Sequence, residues 1–317
     1  MYHFDPARFW RLWGGKIITI NWTSDWHFGS FPPVCEFPCV PVGTDINAGA
    51  LYDTDSKADI AVFRPGTGEW FVINSSTGAS FSRQLGNFDG TPVPYDYDND
   101  GRTDMGFWHR NTGQWWITHS LTGQTRAVQW GSFGDMPVPG DYDGDGKADL
   151  AVWKPSSGTW FIRSYISGVE STRQGGGPSD VEVAADYDGD GKTDPATWHL
   201  FNGTWNIFTI PPRTVQWGAT NDHRVPADYD GDARADYGVF RNGLWLIKNS
   251  HTGVESSAWW GVWGDQPVPR DYDADGKADI AVFRPWTGEW WVIKSSDGSN
   301  VLQAVFGGQG DIPVPRK

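Results

Sequence analysis

The pattern of apolar and polar positions along the chain predicts short β-strands separated by tight turns. Runs such as Ala148–Lys154 and Thr159–Arg163 end at turns that contain Gly or Pro. Another run begins at Pro137 and a fourth ends near Gln174. Four short strands that reverse direction at each turn are typical of the meander of a propeller blade.

The same pattern returns along most of the chain. A Tyr marks one point in each copy, and successive Tyr residues lie 45, 45, 45, 42 and 43 positions apart. A period of this size is typical of propeller blades. The repeats start near residues 51, 96, 141, 186, 228 and 271. Because the 21 Trp, 40 Gly and 21 Pro residues also favour strands and turns, the sequence predicts an all-β protein.

The two ends of the chain each match part of a repeat. Asp311–Pro315 matches an inner strand that stops before its loop, and Tyr2–Trp13 looks like a worn loop and second strand. Division of the 317 residues by the period gives seven units. We therefore expect a single domain over residues 1–317, a seven-bladed β-propeller of four-stranded blades. In it, the C-terminal strand joins a worn N-terminal blade within residues 1–50, and Phe31–Ala50 forms an inserted loop.

A nine-residue loop with Asp at positions 1, 3, 5 and 9 joins the first two strands of the repeat. In Asp141–Asp149 these carboxylates and the carbonyl of Lys147 can converge on one cation, and Gly146 permits the turn. Oxygen-only donors on a flexible loop favour Ca²⁺ over zinc, copper or Mg²⁺. Turn chemistry alone is the alternative, but it does not require the Asp at position 9.

Five copies of this loop are complete, so we expect about five structural Ca²⁺ ions. Leu51 and Ser56 replace the first ligand and the loop Gly of the earliest copy, so Asp53, Asp55 and Asp59 are expected to bind weakly. The predicted ligands of the complete copies are Asp96, Asp98, Asp100, Arg102 and Asp104; Asp141, Asp143, Asp145, Lys147 and Asp149; Asp186, Asp188, Asp190, Lys192 and Asp194; Asp228, Asp230, Asp232, Arg234 and Asp236; and Asp271, Asp273, Asp275, Lys277 and Asp279.

The acidity of the chain belongs largely to these loops. They hold 20 of the 39 acidic residues, and five Ca²⁺ ions would change the formal charge from −14 to −4. An acidic chain argues against nucleic acid as a partner. No run approaches the roughly 18 apolar residues of a membrane span, and Met1–Asn21 lacks the apolar run of a signal peptide. Cys35 and Cys39 are compatible with a local disulfide or with two thiols.

The Asp-x-Asp-x-Asp-Gly-x-x-Asp hairpin resembles the FG-GAP or VCBS type of repeat. Such repeats occur in the propellers of integrin α-subunits and in a fungal lectin family typified by the Psathyrella velutina lectin. The resemblance covers nearly all of the chain. It implies that the ions brace the hairpins and are not catalysts, and that the protein is extracellular or secreted.

A second set of recurring residues is predicted on the face opposite the Asp loops. A basic residue ends each second strand, and several linkers between blades carry Trp-Gly followed by Asp. An aromatic ring can cover the apolar C–H face of a pyranose, while a carboxylate and a cationic side chain bind its hydroxyls or carboxylate. Alternatively, the basic residues cap backbone carbonyls or pair with the linker Asp. The Trp of each third strand is interpreted as packing between blades. The candidate carbohydrate-binding residues are Arg64, His109, Lys154, His199, Arg241, Arg284, Trp130, Trp217, Trp260, Asp135, Asp222 and Asp265.

These residues favour a calcium-stabilised, multivalent carbohydrate-binding protein, a lectin whose partners are glycans or glycoproteins. Equivalent pockets between blades would give avidity on a polyvalent glycan. The alternative is a protein-interaction or adhesion propeller that binds no sugar. An enzyme is not expected, because no Ser-His-Asp spacing, zinc motif or singular cluster breaks the symmetry of the repeat.

Overall fold

The computed structural model of the protein describes residues 11–13, 16–18 and 51–314. The chain divides into two compact units, Met1–Cys39 and Val40–Lys317. In the first unit, strands β1 (Arg11–Trp13) and β2 (Lys16–Ile18) form an antiparallel pair. The predicted worn loop that begins at Tyr2, the inserted loop at 31–50 and the two cysteines lie outside the described residues.

Within residues 51–314 the structure contains six antiparallel four-stranded sheets, and each sheet is one blade. The strands, from inner to outer, are as follows. Blade I has β26 (Ile312–Pro313), β3 (Ile60–Arg64), β4 (Glu69–Ile73) and β5 (Ser80–Gln84); blade II has β6 (Gly90–Pro92), β7 (Met105–His109), β8 (Gln114–Thr118) and β9 (Thr125–Gln129); blade III has β10 (Met136–Pro137), β11 (Leu150–Lys154), β12 (Thr159–Arg163) and β13 (Glu170–Gln174). Blade IV has β14 (Asp180–Glu182), β15 (Ala196–His199), β16 (Thr204–Ile207) and β17 (Arg213–Gln216); blade V has β18 (His223–Arg224), β19 (Tyr237–Arg241), β20 (Leu244–Lys248) and β21 (Glu255–Trp259); blade VI has β22 (Gln266–Pro267), β23 (Ile280–Arg284), β24 (Glu289–Ile293) and β25 (Asn300–Val305).

The prediction of an all-β propeller with four-stranded blades is confirmed, but the prediction of seven blades is wrong. The described part of the chain forms six, and the C-terminal strand closes the ring on blade I rather than on an N-terminal blade. Ile312 pairs with Phe63, and Pro313 pairs with Val62. The sequence agrees with this pairing, because Asp311–Pro315 repeats the Asp135–Pro139 pattern that precedes loop III, whereas Asn47–Ala50 does not repeat Pro137–Gly140.

A closed ring of backbone hydrogen bonds joins the six Asp loops. In each loop the N–H of position 8 donates to the carbonyl of position 1 in the preceding loop, at 2.6–2.9 Å. The last bond of the ring joins blade I to blade VI, so the ring contains six loops with no gap. The donor and acceptor pairs are Thr103 to Leu51, Ala148 to Asp96, Thr193 to Asp141, Ala235 to Asp186, Ala278 to Asp228 and Ala58 to Asp271.

The hydrophobic core lies within and between the blades and is centred on one Trp in each third strand. These six indole rings are completely buried, and each Nε1–H donates at 2.8–3.2 Å to a carbonyl in the linker that leaves the blade. The geometry agrees with the packing interpretation, and loss of such a side chain typically costs about 3–5 kcal/mol. The six residues are Trp70, Trp115, Trp160, Trp205, Trp245 and Trp290.

Removal of the closing strand is the direct test of this ring. Deletion of residues 311–317 removes β26 and leaves Arg64 without its buried partner Asp311. The deletion also removes Val314, which is fully buried; burial of such a side chain contributes about 1.5–3 kcal/mol, and each kcal/mol corresponds to about 2–4 °C for a domain of this size. We expect the melting temperature to fall by about 10 °C or more in a thermal melt followed by circular dichroism.

A shorter deletion is the matched control. Removal of residues 316–317 keeps β26 and Val314, so it should leave the melting temperature unchanged. Equal melting temperatures for the two truncated chains would contradict closure through β26.

Candidate functional site

Five of the six Asp loops are shaped by the carboxylate at their first position. We number the loops after their blades: loop I is 51–59, II is 96–104, III is 141–149, IV is 186–194, V is 228–236 and VI is 271–279. In loop III, Asp141 accepts N–H bonds from Gly144 at 2.7 Å and Gly146 at 2.8 Å. Both glycines have positive φ, 83° and 80°, so the backbone takes the left-handed form that Gly tolerates best. Ala233 and Ala274 hold such positions in loops V and VI.

In several loops three of the four predicted carboxylates lie close together. In loop III one oxygen each from Asp141, Asp143 and Asp149 lies within 4.8 Å of the others. In loop VI, Asp273 Oδ1 is buried and has no hydrogen-bond partner, which is the kind of atom that a cation satisfies. Similar triplets are formed by Asp96, Asp98 and Asp100; Asp186, Asp188 and Asp194; and Asp228, Asp230 and Asp236.

Position 7 contributes its backbone to the loop. In loop III the N–H of Lys147 donates to Asp145 at 2.9 Å, which fixes the peptide units beside the predicted carbonyl ligand. The same bond, at 2.9–3.0 Å, is made by Arg102, Lys192, Arg234 and Lys277. The basic side chains at these positions are not the predicted ligands, since only their carbonyls were expected to face the cation.

The Asp at position 9 is the most buried carboxylate of its loop except in loop IV, where Asp186 is 5% exposed and Asp194 is 9% exposed. In loop VI, Asp279 Oδ2 accepts the N–H of Tyr272 at 2.8 Å and Oδ1 accepts the N–H of Ser295 at 2.7 Å. Burial raises the pKa of Asp59 and Asp279 to about 6. Burial also raises the pKa of the carboxyls at position 9 in loops III to V to about 7, namely Asp149, Asp194 and Asp236.

Loop I keeps the nine-residue length but not the full donor set. Leu51 supplies no carboxylate, and neither Thr54 nor Ser56 has a positive φ. Asp59 nevertheless accepts the N–H of Tyr52 at 2.5 Å, as its counterparts do. Asp53 and Asp55 remain in the loop, so its geometry retains the strand connection while offering fewer ligands to a cation.

On the opposite face the predicted basic residues meet the linker carboxylates. Arg241 forms a bidentate pair with Asp222 at 2.6 and 2.8 Å, and Arg284 forms one with Asp265 at 2.9 and 3.0 Å. Arg64 forms a third such pair, with Asp311 as the carboxylate. The carboxylates are buried in all three pairs, so each guanidinium is anchored by a charge-assisted, two-point contact.

The remaining three basic positions are anchored less firmly. Lys154 Nζ lies 3.8 Å from Asp135 Oδ1. His199 Nδ1 accepts the N–H of Phe201 at 3.3 Å, whereas His109 Nδ1 is buried without a hydrogen-bond partner. Blades II to IV therefore differ from blades I, V and VI at this position.

The linker Trp residues lie half-buried between neighbouring blades. The indole N–H of Trp130 donates to Phe161 of blade III at 3.2 Å, and that of Trp217 donates to Leu246 of blade V at 3.3 Å. Trp260 makes the same bond to blade VI at 3.2 Å. These rings therefore connect blades, and their N–H groups are already occupied.

One open cleft brings two predicted residues together. It lies between blades IV and V and has a volume of about 290 Å³. Trp217 and Arg241 line it, together with Gln216, Gly218 and Leu246. The predicted combination of aromatic ring and cation is thus present at this junction, beside the Asp222 carboxylate that holds Arg241.

Sequence reasoning missed a set of exposed aromatic residues on this same face. They lie in linkers between blades or in the turn after a second strand, and their exposed fractions range from 53% to 79%. The linker members follow the Trp or its counterpart by three residues, but Pro178, Thr220 and Gln309 replace them in other blades. A search for strict recurrence therefore passes over them. The set is Phe88, Phe133, Phe201, Trp263 and Trp286.

The densest part of this set lies at the junction of blades V and VI. The Trp286 ring lies against Gly264, where a Cβ atom would be 2.8 Å from its Cζ3. Trp263 is the neighbouring residue, and the Arg284 guanidinium lies 5.8 Å from the centre of the Trp286 ring. Two exposed indoles, a cation and the buried Asp265 therefore share one junction.

Solved structures of other proteins share the fold of this chain. TolB from Acinetobacter baumannii has a TM-score of 0.55 at 10% identity, with 80% of this chain and 65% of that chain covered. A lectin from Agrocybe aegerita that recognises non-reducing terminal N-acetylglucosamine has a TM-score of 0.52 at 16% identity, with 78% and 80% covered. Virginiamycin B lyase from Staphylococcus aureus has a TM-score of 0.50 at 8% identity, with 86% of each chain covered. The chain is a β-propeller.

Sequence comparisons identify no family for this chain. No protein-family model matches the chain, and no curated protein sequence matches it. At these identities the solved structures establish the fold alone, because propellers carry many unrelated functions. Among the described residues, no helix has the length and apolarity to cross a membrane.

The buried carboxyls make stability depend on pH in a defined direction. The pKa of Asp149 is about 7 in the folded protein and about 3.9 when unfolded. Its contribution to stability is therefore full below about pH 4 and is lost as the pH rises through about 7. In chelator, we expect the Asp149→Asn variant to lose less stability than the wild type between pH 5 and pH 7.5, as measured by thermal melts. A larger loss in the variant would contradict the raised pKa.

Proposed function

We propose that this protein is a calcium-stabilised lectin of the FG-GAP or VCBS type, with several glycan sites on the face opposite the Asp loops. The observation that carries the proposal is the group of exposed aromatic rings beside anchored Arg–Asp pairs on that face. A pyranose offers an apolar C–H face to an aromatic ring and hydroxyls to charged groups around it. The lectin among the structural neighbours shows that this fold can carry such a function.

The junction of blades V and VI has the groups that a sugar site needs. Trp263 and Trp286 present exposed rings, and Arg284 bonds both Asp265 and, at 3.1 Å, Glu289. Because Arg284 is held by two carboxylates, its orientation is fixed before a ligand arrives. Such preorganisation reduces the entropy lost on binding.

The Asp loops have a supporting role in this proposal. A cation placed among Asp141, Asp143 and Asp149 would offset the repulsion of carboxylates that burial has already made costly. The ion would thereby stabilise the start of the second strand, whose far end carries the basic residue. The resemblance of the loops to FG-GAP and VCBS repeats supports an extracellular setting for the protein, with binding rather than catalysis as its role.

A protein-interaction or adhesion propeller is the second candidate. Val262 is 47% exposed next to Trp263, so this junction also presents contiguous apolar surface of the kind that protein partners cover. A glycan array separates the two candidates: discrete glycan hits support the lectin, and an array without hits supports the protein partner.

Cation removal should lower the stability of the folded protein. Ligand that binds only the folded state adds about 2.7 kcal/mol per site at a hundredfold excess over Kd. We expect EDTA to lower the melting temperature by at least about 10 °C and CaCl₂ to restore it. The Asp143→Asn variant should bind one ion fewer in a calcium titration, and an EDTA melt that matches the calcium melt would overturn the structural role of the ions.

Glycan binding should depend on the exposed aromatic rings and not on the fold. We expect Trp263→Ala and Trp286→Ala each to weaken binding to the best array ligand by at least about tenfold, or about 1.4 kcal/mol, with little change in melting temperature. Leu121→Ala is the matched control, because Leu121 is 64% exposed in a turn on the Asp-loop face. Wild-type affinity in both Trp variants would place the glycan site elsewhere.

A further inference from the structure

Loop II differs from the other Asp loops because an imidazole faces its carboxylates. His119 follows the third strand of blade II, and its Nδ1 lies 3.0 Å from Asp98 Oδ2 and 3.2 Å from Asp104 Oδ2. These three donor atoms lie within 4.8 Å of one another. The same position in the other blades is held by Asn74, Ser164, Phe208, Asn249 and Lys294.

The other side of the imidazole is held by the neighbouring blade. His119 Nε2 lies 3.0 Å from the hydroxyl of Tyr165 in blade III. Tyr165 is buried, its carbonyl accepts a bond from Arg126 at 3.1 Å, and the Arg126 guanidinium lies 4.6 Å from its ring centre. When Nε2–H donates to this hydroxyl, the lone pair of Nδ1 points to the two carboxylates. A second partner of this kind is what orients metal-binding histidines.

We propose that loop II binds a first-row transition ion such as Zn²⁺ in preference to Ca²⁺, through Asp98, Asp104 and His119 Nδ1. An imidazole nitrogen is a poor ligand for Ca²⁺ and a good one for Zn²⁺, Ni²⁺ or Cu²⁺. Two carboxylates and one imidazole on one side of the ion leave positions for water. The Asp98 side chain is 28% exposed, so an ion has a path from solvent.

This inference refines the cation chemistry of one loop and is independent of glycan binding. Loops III to VI have no His at the position of His119, and their carboxylate donor sets remain those of a hard cation. If the protein binds no glycan, loop II is still expected to bind zinc. If the zinc inference is wrong, the other loops can still bind calcium.

The test is a titration of the full-length, calcium-loaded protein with ZnCl₂ by isothermal titration calorimetry. We expect one zinc site in the wild type. In His119→Asn, which installs the Asn of blades I and V, the zinc affinity should fall by at least about 100-fold while the other calcium sites are retained. Tyr165→Phe keeps the ring but removes the hydroxyl, so zinc affinity should fall by about 10-fold or more.

A control variant and a spectroscopic measurement test whether His119 itself binds the zinc ion. His251→Asn removes an exposed His from the same face and should leave the zinc site unchanged. In protein labelled with ¹⁵N-histidine, ZnCl₂ should shift the Nδ1 resonance of His119. Equal zinc affinity in His119→Asn and the wild type would overturn the proposal. So would a His119 imidazolium that pairs with Asp98 and Asp104 and does not respond to ZnCl₂.

Discussion

The ring of hydrogen bonds between Asp loops is the constraint on which the rest of the structure depends. Each loop must bring the N–H of position 8 to the position 1 carbonyl of its neighbour, so its length is fixed. Loop I illustrates the point, because it has lost its first carboxylate but keeps nine residues. Its Leu51 carbonyl still accepts the N–H of Thr103 at 2.6 Å. The backbone hydrogen bond therefore accounts for the nine-residue length of loop I, although the loop has lost its first carboxylate.

The same ring links the chemistry of the two faces. Position 9 of each loop opens the second strand, and five residues later that strand ends at the basic position, as from Asp236 to Arg241. On the loop face the carboxylates lie close together, and burial raises the pKa of Asp236 to about 7. On the opposite face three linker carboxylates each have a protein cation, as in the Asp222–Arg241 pair. One face therefore gathers carboxylates, and the other presents anchored side chains.

The sequence alone predicts the four-stranded blades, the nine-residue Asp loops and the meeting of Arg with linker Asp, because these features recur. It fails on the number of blades because division of length by period counts residues that carry no repeat. The available signal that Ile312–Pro313 completes blade I was the sequence before loop I, where Asn47–Ala50 does not repeat the Pro137–Gly140 sequence that precedes loop III. It also misses Trp263 and Trp286, since exposed positions vary from blade to blade while packing residues such as Trp245 do not.

The basic positions divide the ring into two halves. The bidentate pairs of Arg64, Arg241 and Arg284 lie at three consecutive junctions, whereas His109, Lys154 and His199 occupy the other three. In the first two pairs, Nε and Nη2 bond the carboxylate, and 44% and 43% of the side chain stays exposed. A guanidinium fixed through two of its nitrogens presents the third in a set direction. A polyvalent ligand would therefore engage adjacent junctions on one side of the disc, where avidity requires only short spacing between its branches.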